Sequence, residues 1–263
     1  SDKIKIIHTV LDLDKDPKGK EYANQTDIAK DACTGDWLFY IQSDEVVHEK
    51  YLPLIRANCE KYLDDKEVEG FLFKYRHFWG DYDHYILSHT WYPREIRIIR
   101  NDPEIHSWRD AQSFRRMPSF DGIDYNKREN TYKLNVVEID AYIYHYGFVR
   151  PPEIMQKKRK NHTTNYSGSD STQQIFKNES ESFDYGNLNK IKVFKETHPS
   201  VMKEFINRFN WKSQLRYSSS PKKTKLLKHE KFKYRFLSFI EQTFFNGRLL
   251  FGFKNYKILK KRN

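Results

Sequence analysis

The sequence predicts an α/β fold, a sheet flanked by helices, followed by a basic and mainly helical extension. Strand-like and helix-like segments alternate along the first 100 residues, and β-rich segments continue to residue 150. The break Pro151-Pro152 comes next. Such alternation is typical of α/β sheets. We therefore place a main domain at residues 1–150 and an extension at residues 151–263, with a linker near residues 218–223.

The composition indicates a globular protein. Of the 263 residues, 38% are apolar and 16% are aromatic, which excludes a disordered chain. Cys33 and Cys59 lie in apolar helical patterns without metal-ligand spacing, so we interpret them as core thiols in a reducing compartment. Neither a signal peptide nor a membrane-spanning run is apparent. We expect a cytoplasmic location.

The opening segments predict the order β-α-β. Lys3–Val10 is β-rich and is followed by a polar loop from Asp12 to Lys20. A helix is predicted from Glu21 to near Gly35, because apolar residues recur there at helical spacing and glycine ends helices. The apolar run Trp37–Ile41 then predicts a buried strand.

The next segments extend this pattern. Apolar residues from Tyr51 to Leu63 have the spacing of an amphipathic helix. A strand is predicted at Gly70–Tyr75, an aromatic loop at His77–Tyr92, and a strand with outward-facing arginines at Glu95–Arg100.

The later segments are more varied. Leu134–Tyr146 is β-rich, Glu153–His162 is helical and basic, and Thr163–Ser182 is polar and predicts a mobile loop. Helices are predicted from Pro199 onwards and at about His229–Asn246.

The net charge of +11 comes from the second part of the chain. Residues 1–150 contain 22 Lys and Arg against 27 Asp and Glu, whereas residues 151–263 contain 25 against 9. The phenylalanine face of the last helix either packs on the main domain or lies on an anionic membrane surface. Nucleic-acid binding is the weakest hypothesis, because these aromatic residues follow helical core spacing. We interpret the Lys222–Lys233 run as a solvated linker.

Two carboxylates end the second predicted strand. Asp44 and Glu45 follow it directly, where oxygen ligands can hold a divalent cation that neutralises a pyrophosphate. A solvated loop after the strand is the alternative.

The surrounding sequence resembles a known family. Asn24–Trp37 and Ile41–Glu45 are similar to family 2 glycosyltransferases of the GT-A fold, especially bacterial enzymes that build lipopolysaccharide cores and other cell-surface polysaccharides. In these enzymes Thr-Gly-Asp-Trp leads into a strand ending in Asp-x-Asp-Glu, a motif that binds a metal and the donor diphosphate. Arg97–Arg100, Trp108–Asp110 and Tyr142–Tyr146 resemble later segments of the family.

The resemblance implies a GT-A-like mixed sheet and an inverting glycosyltransferase. Asp44 would bind Mn²⁺ or Mg²⁺ with His145, and Asp110 would be the general base. The other implied contacts, with substrate, are Gln42, Glu45, Trp108 and Arg109. Gln42 stands where the family has the first acid of its motif. A core role for His145 and a salt bridge between Asp110 and Arg109 are the alternatives.

The partners implied by the resemblance are a nucleotide-sugar donor and a glycan or lipid-linked acceptor. From the basic, aromatic second half we add peripheral membrane contact as a hypothesis, and we expect no nucleic acid. The resemblance starts at the family's third strand, so we expect the N-terminal part of the domain to be missing from this chain, and the chain alone to bind donor poorly. The alternative function is a degenerate, non-catalytic scaffold or binding protein. We expect Asp44, Asp110 and His145 to share one cleft.

Overall fold

A computed structural model of the chain describes residues 3–10, 20–218 and 226–260. These residues form a mixed α/β fold, in which a ten-stranded sheet is flanked by helices. The strands, numbered in chain order, are β1 (Trp37–Phe39), β2 (Glu45–Val47), β3 (Gly70–Trp79), β4 (His84–Ile86), β5 (Arg94–Arg100), β6 (Ile105–Trp108), β7 (Ser113–Arg116), β8 (Tyr132–Phe148), β9 (Lys192–Val193) and β10 (Tyr256–Ile258). The helices are α1 (Lys20–Asp31), α2 (Leu52–Lys61), α3 (Pro152–Ser167), α4 (Ser169–Phe176), α5 (Lys203–Asn207) and α6 (Phe232–Phe244).

The long strands β3 and β8 form the centre of the sheet and run parallel to each other. The main path of the sheet is β1-β5-β3-β8-β7-β6, and β2 and β10 also pair with β8. Most residues of β3 are buried, which is typical of a strand covered on both faces. Of this central pair, β8 supplies His145 and Phe148 to the cleft described below.

The first predicted strand does not form. Lys3–Val10 makes no strand, and Ile4, Ile6 and Val10 are exposed. A β-rich sequence needs a neighbouring strand to satisfy its backbone, and none lies beside this segment in the described residues. The predicted β-α-β opening is therefore wrong in its first element. The loop after it, through residue 19, lies outside the described residues, as does most of the predicted linker near 218–223.

Several other predictions need correction. The predicted mobile loop from Thr163 forms the end of α3 and then α4, because its polar residues face solvent along continuous helices. The helix predicted from Pro199 is only a short 3-10 turn followed by α5, with Phe205 exposed. Cys33 is exposed and Cys59 half-buried, so a core position is wrong for Cys33.

Residues beyond Pro152 cover one face of the sheet. Met155, Tyr185 and Trp211 pack in the same apolar cluster as Phe78 and Tyr144 of the central strands. The division of the chain at residue 150 stays a prediction from sequence. No helix in the described part of the chain combines the length and the apolar character needed to cross a bilayer.

The arginines of β5 face the interior, so the predicted outward orientation of these side chains is wrong. Arg97 is 1% exposed and forms an ion pair with Glu45. Arg100 donates to backbone carbonyls that include those of Tyr62 and Val68. Charged side chains are almost never fully buried without partners, so the partners explain the burial.

Glu95 on β5 should make stability depend on pH. Burial raises the pKa of its carboxyl to about 7, despite the opposing charge of Arg97. A raised carboxyl pKa means that the folded state holds the proton more tightly, so stability falls as the pH rises from about 4.5 to 7. Glu95→Gln should match the wild type near pH 4.5 and exceed its free energy of unfolding by about 3 kcal/mol at pH 8, measured by urea unfolding.

The matched control is Glu60→Gln, at an exposed carboxylate on α2. It should stay within about 0.5 kcal/mol of the wild type at both pH values. A Glu95→Gln advantage of the same size at both pH values would contradict the assignment.

Candidate functional site

One cleft of about 720 Å³ brings together side chains from both parts of the chain. It is lined by Tyr22, Gln25, Tyr40, Gln42, Ser43, Asp44, Trp91, Tyr92, Arg97, Asp110, Ala111, Gln112, His145, Phe148, Lys158, His162 and Tyr166. It contains two carboxylates, those of Asp44 and Asp110, and an aromatic wall. The convergence of Asp44, Asp110 and His145 on one cleft matches the expectation from sequence.

Strand pairing sets Asp44 beside His145. β2 runs antiparallel to β8 with Glu45 opposite His145, and the Tyr146 N–H donates to the Asp44 carbonyl at 2.8 Å. The Asp44 carboxylate then meets two basic side chains: Oδ1 lies 3.6 Å from His145 Nε2, and Oδ2 accepts a hydrogen bond from Lys158 Nζ at 2.9 Å.

These basic neighbours keep Asp44 ionised. Burial alone would raise the pKa of the Asp44 carboxyl, but the hydrogen bonds and charges of His145 and Lys158 hold the pKa well below its usual range.

The side chains of Asp44, His145 and Lys158 crowd over Gly147. A Cβ at that position would lie 2.5 Å from Asp44 Oδ2, 2.7 Å from His145 Nε2 and 3.1 Å from Lys158 Nζ. Only glycine leaves room for them.

A chain of hydrogen bonds fixes the orientation and tautomer of His145. His77, its neighbour across the parallel pair, places Nε2 at 2.8 Å from the Tyr92 carbonyl, so that nitrogen must carry the proton. Burial and the nearby His145 lower the pKa of His77 well below its usual value, so its ring is neutral and Nδ1 accepts. His145 Nδ1 therefore donates to His77 Nδ1 at 3.0 Å. The Nε2 atom of His145 faces Asp44, where it can either carry a proton or bind a cation together with the carboxylate.

Glu45 is part of the interior behind the cleft. Its carboxylate accepts two bonds from Arg97, at 2.9 and 3.0 Å, and one from the Tyr75 hydroxyl at 2.7 Å. The Gln42 N–H also donates to Glu45. Burial would raise the pKa of Glu45, but the charge of Arg97 lowers it. The Glu45–Arg97 pair anchors the turn that presents Gln42 and Asp44.

Asp110 lies on a short, strained loop after β6. Its two neighbours have left-handed backbones, with φ of 63° at Arg109 and 60° at Ala111. Such conformations at non-glycine residues concentrate at functional sites. The Tyr166 hydroxyl donates to Asp110 Oδ2 at 2.9 Å, and burial followed by the Asp110 charge raises the pKa of Tyr166. The Arg109 guanidinium lies over the Trp108 ring, 4.2 Å from its centroid.

One face of α3 contacts both carboxylates. Lys158, His162 and Tyr166 follow each other at four-residue intervals and all line the cleft. Lys158 binds Asp44, Tyr166 binds Asp110, and the His162 ring stacks on Tyr166 with centroids 4.7 Å apart. The helix therefore holds the two acids in a fixed relation.

Aromatic rings form one wall of the cleft. Trp91 and Phe148 pack edge to face with centroids 4.8 Å apart, and Trp91 also contacts His77. Tyr92 packs against His77 at 4.6 Å. Aromatic faces of this kind offer apolar stacking surface beside a polar floor.

The residues supply part of a metal shell. Within residues 3–10, 20–218 and 226–260, no group of three or more His, Cys, Asp or Glu side chains is arranged to hold a metal ion. Asp44 and His145 offer one carboxylate and one imidazole nitrogen side by side. A site with two protein ligands suits a cation such as Mg²⁺, whose other ligands are largely substrate phosphates and water. Gln42 does not add a second anionic ligand.

Four of the predicted site residues line this cleft: Gln42, Asp44, Asp110 and His145. Three do not, among the described residues: Glu45 is paired with Arg97, while the Arg109 guanidinium stacks on the Trp108 ring. Substrate contact by these three stays a prediction. The site also contains Lys158 and Tyr166, and it is supported by His77 and the inward Arg97, none of which was predicted from the sequence. The i, i+4, i+8 spacing of Lys158, His162 and Tyr166 indicates that these side chains share one helix face, and it was the signal in the sequence that could have found them.

Comparison of the chain with protein-family models, curated proteins and solved structures gives no match. Function therefore has to be inferred from the geometry of the cleft.

Replacing Lys158 should strengthen binding of a divalent cation. Its ammonium occupies Asp44 Oδ2 and repels a second cation, so Lys158→Met should tighten Mn²⁺ binding by roughly tenfold, measured by electron paramagnetic resonance of free Mn²⁺. Lys157→Met, at the exposed neighbouring position on α3, is the control and should leave the affinity unchanged. Weaker Mn²⁺ binding by Lys158→Met would show that Lys158 supports the site instead of competing for it.

Proposed function

We propose that the protein is an inverting glycosyltransferase with a GT-A-like domain and a mainly helical C-terminal extension. It would move a sugar from a nucleotide donor to a hydroxyl of a cell-surface glycan or its lipid-linked precursor. The single observation that carries the proposal is the pairing of two carboxylates in one cleft with different surroundings. Asp44 is held by basic groups, and Asp110 is held by a neutral hydroxyl.

This difference suits the two charges of the reaction. The donor diphosphate is anionic and needs cations, which the Asp44 end offers through Lys158 and through a bound metal. The acceptor hydroxyl needs a base, and Asp110 offers a carboxylate with one oxygen, Oδ1, left for the acceptor while Tyr166 binds Oδ2. The aromatic wall of Trp91 and Phe148 offers a stacking surface for a sugar ring.

The proposed step is one displacement at the anomeric carbon. Asp110 takes the proton of the acceptor hydroxyl, and the acceptor oxygen forms a bond to that carbon from the face opposite the diphosphate. The bond from the carbon to the diphosphate oxygen breaks, and its electron pair leaves with the nucleoside diphosphate. The anomeric configuration is inverted.

Asp44 and His145 would hold Mn²⁺ or Mg²⁺ in this site. The metal supplies charge neutralisation for the leaving diphosphate. His77 keeps the His145 ring in the tautomer that turns Nε2 towards Asp44. Lys158, whose ammonium lies beside the same carboxylate, would bind a phosphate oxygen of the donor.

The test is release of nucleoside diphosphate from a panel of sugar nucleotides by the complete gene product, with Mn²⁺ present and absent. Asp44→Ala should abolish release, whereas Asp140→Ala, at a largely exposed acid of β8, should not change it. Equal release by the wild type and Asp44→Ala would refute the proposal.

A degenerate, non-catalytic binding protein is the second candidate. The Lys158–Asp44 ion pair favours it, because an ammonium already fills a position that a metal would need. This candidate predicts glycan or nucleotide binding without diphosphate release for every donor of the panel. Release by the wild type that depends on Asp44 would exclude it.

A further inference from the structure

Helix α6 presents its apolar side to solvent and its polar side to the protein. Ser238 and Glu241 are buried, and their side chains bond to the backbone N–H and the Nδ1 of His89. Glu241 also accepts a bond from the Leu250 N–H. A helix that packs on a core normally shows the opposite arrangement. The packing interpretation of its phenylalanines is therefore wrong in the described residues.

The outward face is a continuous aromatic stripe. Phe232, Phe236 and Phe239 recur at i, i+4 and i+7 and are 82%, 54% and 62% exposed, and Phe244 near the helix end is 71% exposed. The rings of Phe232 and Phe236 stack with centroids 6.3 Å apart. Scattered apolar residues on a surface are ordinary, but a continuous exposed patch marks an interaction site.

The charges around this stripe have one sign. Residues 226–260 contain eight Lys and Arg and two acids, Glu230 and Glu241. Both acids are engaged: Glu230 accepts from the Leu227 N–H, and Glu241 is buried against His89. On α6 itself, the exposed Lys233 and Arg235 flank the phenylalanines, with Lys231 just before the helix.

We propose that the outward face of α6, formed by Phe232, Phe236 and Phe239 with Lys231, Lys233 and Arg235, binds the surface of an anionic lipid bilayer. The helix would lie in the plane of the interface with its rings among the acyl chains and its cations at the headgroups. Each cation near an anionic surface adds to the attraction, which salt weakens. This inference does not depend on the reaction proposed for the cleft.

The shape and chemistry of the stripe favour a lipid surface over other partners. Single-stranded nucleic acid binds grooves in which aromatic rings stack with bases, whereas these rings project from the convex side of a helix, and Phe232 stacks on Phe236. A second copy of the chain would bring the same cations against these, because a symmetric contact repeats the same patch. An anionic bilayer matches both the apolar stripe and the positive rim.

The test is co-sedimentation of the full chain with vesicles of phosphatidylcholine alone and of phosphatidylcholine containing about a quarter phosphatidylglycerol. The wild type should bind the anionic vesicles, more weakly as salt is added. A triple variant with Phe232→Ser, Phe236→Ser and Phe239→Ser should lose at least about a hundredfold in partitioning. These side chains are exposed, so the melting temperature should not fall.

Two further variants separate apolar from ionic contributions. Lys231→Glu with Lys233→Glu and Arg235→Glu should lose at least about tenfold on anionic vesicles. Phe205→Ser, at an exposed position of α5, should bind like the wild type. Equal partitioning of the wild type and the Phe triple variant would overturn the proposal. The proposal would also be overturned if the wild type bound no vesicles and instead formed a dimer, or bound an oligonucleotide, and the Phe triple variant lost that interaction.

Discussion

Transfer by the Asp110→Asn variant is expected to fall by roughly 10²–10⁴-fold in kcat, because an amide cannot accept the proton of the acceptor hydroxyl. The amide keeps the shape of the side chain, and its oxygen can still accept the hydrogen bond of Tyr166. KM for the donor and the melting temperature should therefore change little. The measurement is steady-state kinetics of the complete gene product with the donor identified in the panel.

Asp140→Asn is the matched control, since this acid of β8 is largely exposed and bonds to Lys74. It should retain wild-type kcat. Tyr166→Phe should cause a smaller loss than Asp110→Asn, because it removes only the group that positions the base. If Asp110→Asn kept the wild-type kcat while Asp44→Ala abolished activity, the base would have to be another residue of the cleft.

Replacing Arg97 by Met is expected to lower the free energy of unfolding by about 3–5 kcal/mol. The change would leave the Glu45 carboxylate buried without its cation, bonded only to the Tyr75 hydroxyl and the Gln42 N–H. Loss of one partner of a buried ion pair is among the most destabilising single changes. Urea unfolding at pH 7 measures it. The turn carrying Asp44 should loosen as well.

Two comparisons make this result interpretable. Arg56→Met removes an exposed pair with Glu60 on α2 and should change stability by no more than about 0.5 kcal/mol. The double variant Glu45→Met with Arg97→Met should recover most of the loss, because it leaves no buried charge. A loss below about 1 kcal/mol for Arg97→Met alone would mean that water or a shifted side chain compensates Glu45.

The sequence predicted the central strands and failed at segments that depend on distant partners. The apolar run at Gly70 and the β-rich run before Tyr146 form β3 and β8, because continuous apolar runs need burial on both faces. Lys3–Val10 is also β-rich but finds no pairing strand among the described residues. Propensity reports a local preference, while strand formation needs a neighbour.

In the site, too, the sequence predicted some residues and failed for features that depend on distant partners. Asp44, Asp110 and His145 were predicted from residue types and from the family resemblance, and all three line the cleft. The inward Arg97 was missed because an arginine in a strand normally faces solvent, and its partner Glu45 is 52 residues away in sequence. The tautomer of His145 depends on the Tyr92 carbonyl, a backbone group that no sequence pattern marks. The strain beside Asp110 is likewise invisible before folding.

Helix α3 relates the positions of the two acids, because it contacts both of them. Lys158 and Tyr166 are separated by eight positions, or about 12 Å along the helix axis, and each holds one acid. One residue inserted between them would rotate Tyr166 by about 100° away from Asp110, while Lys158 kept its place. The positions of the two acids are thus coupled to the number of residues between Lys158 and Tyr166 on one helix.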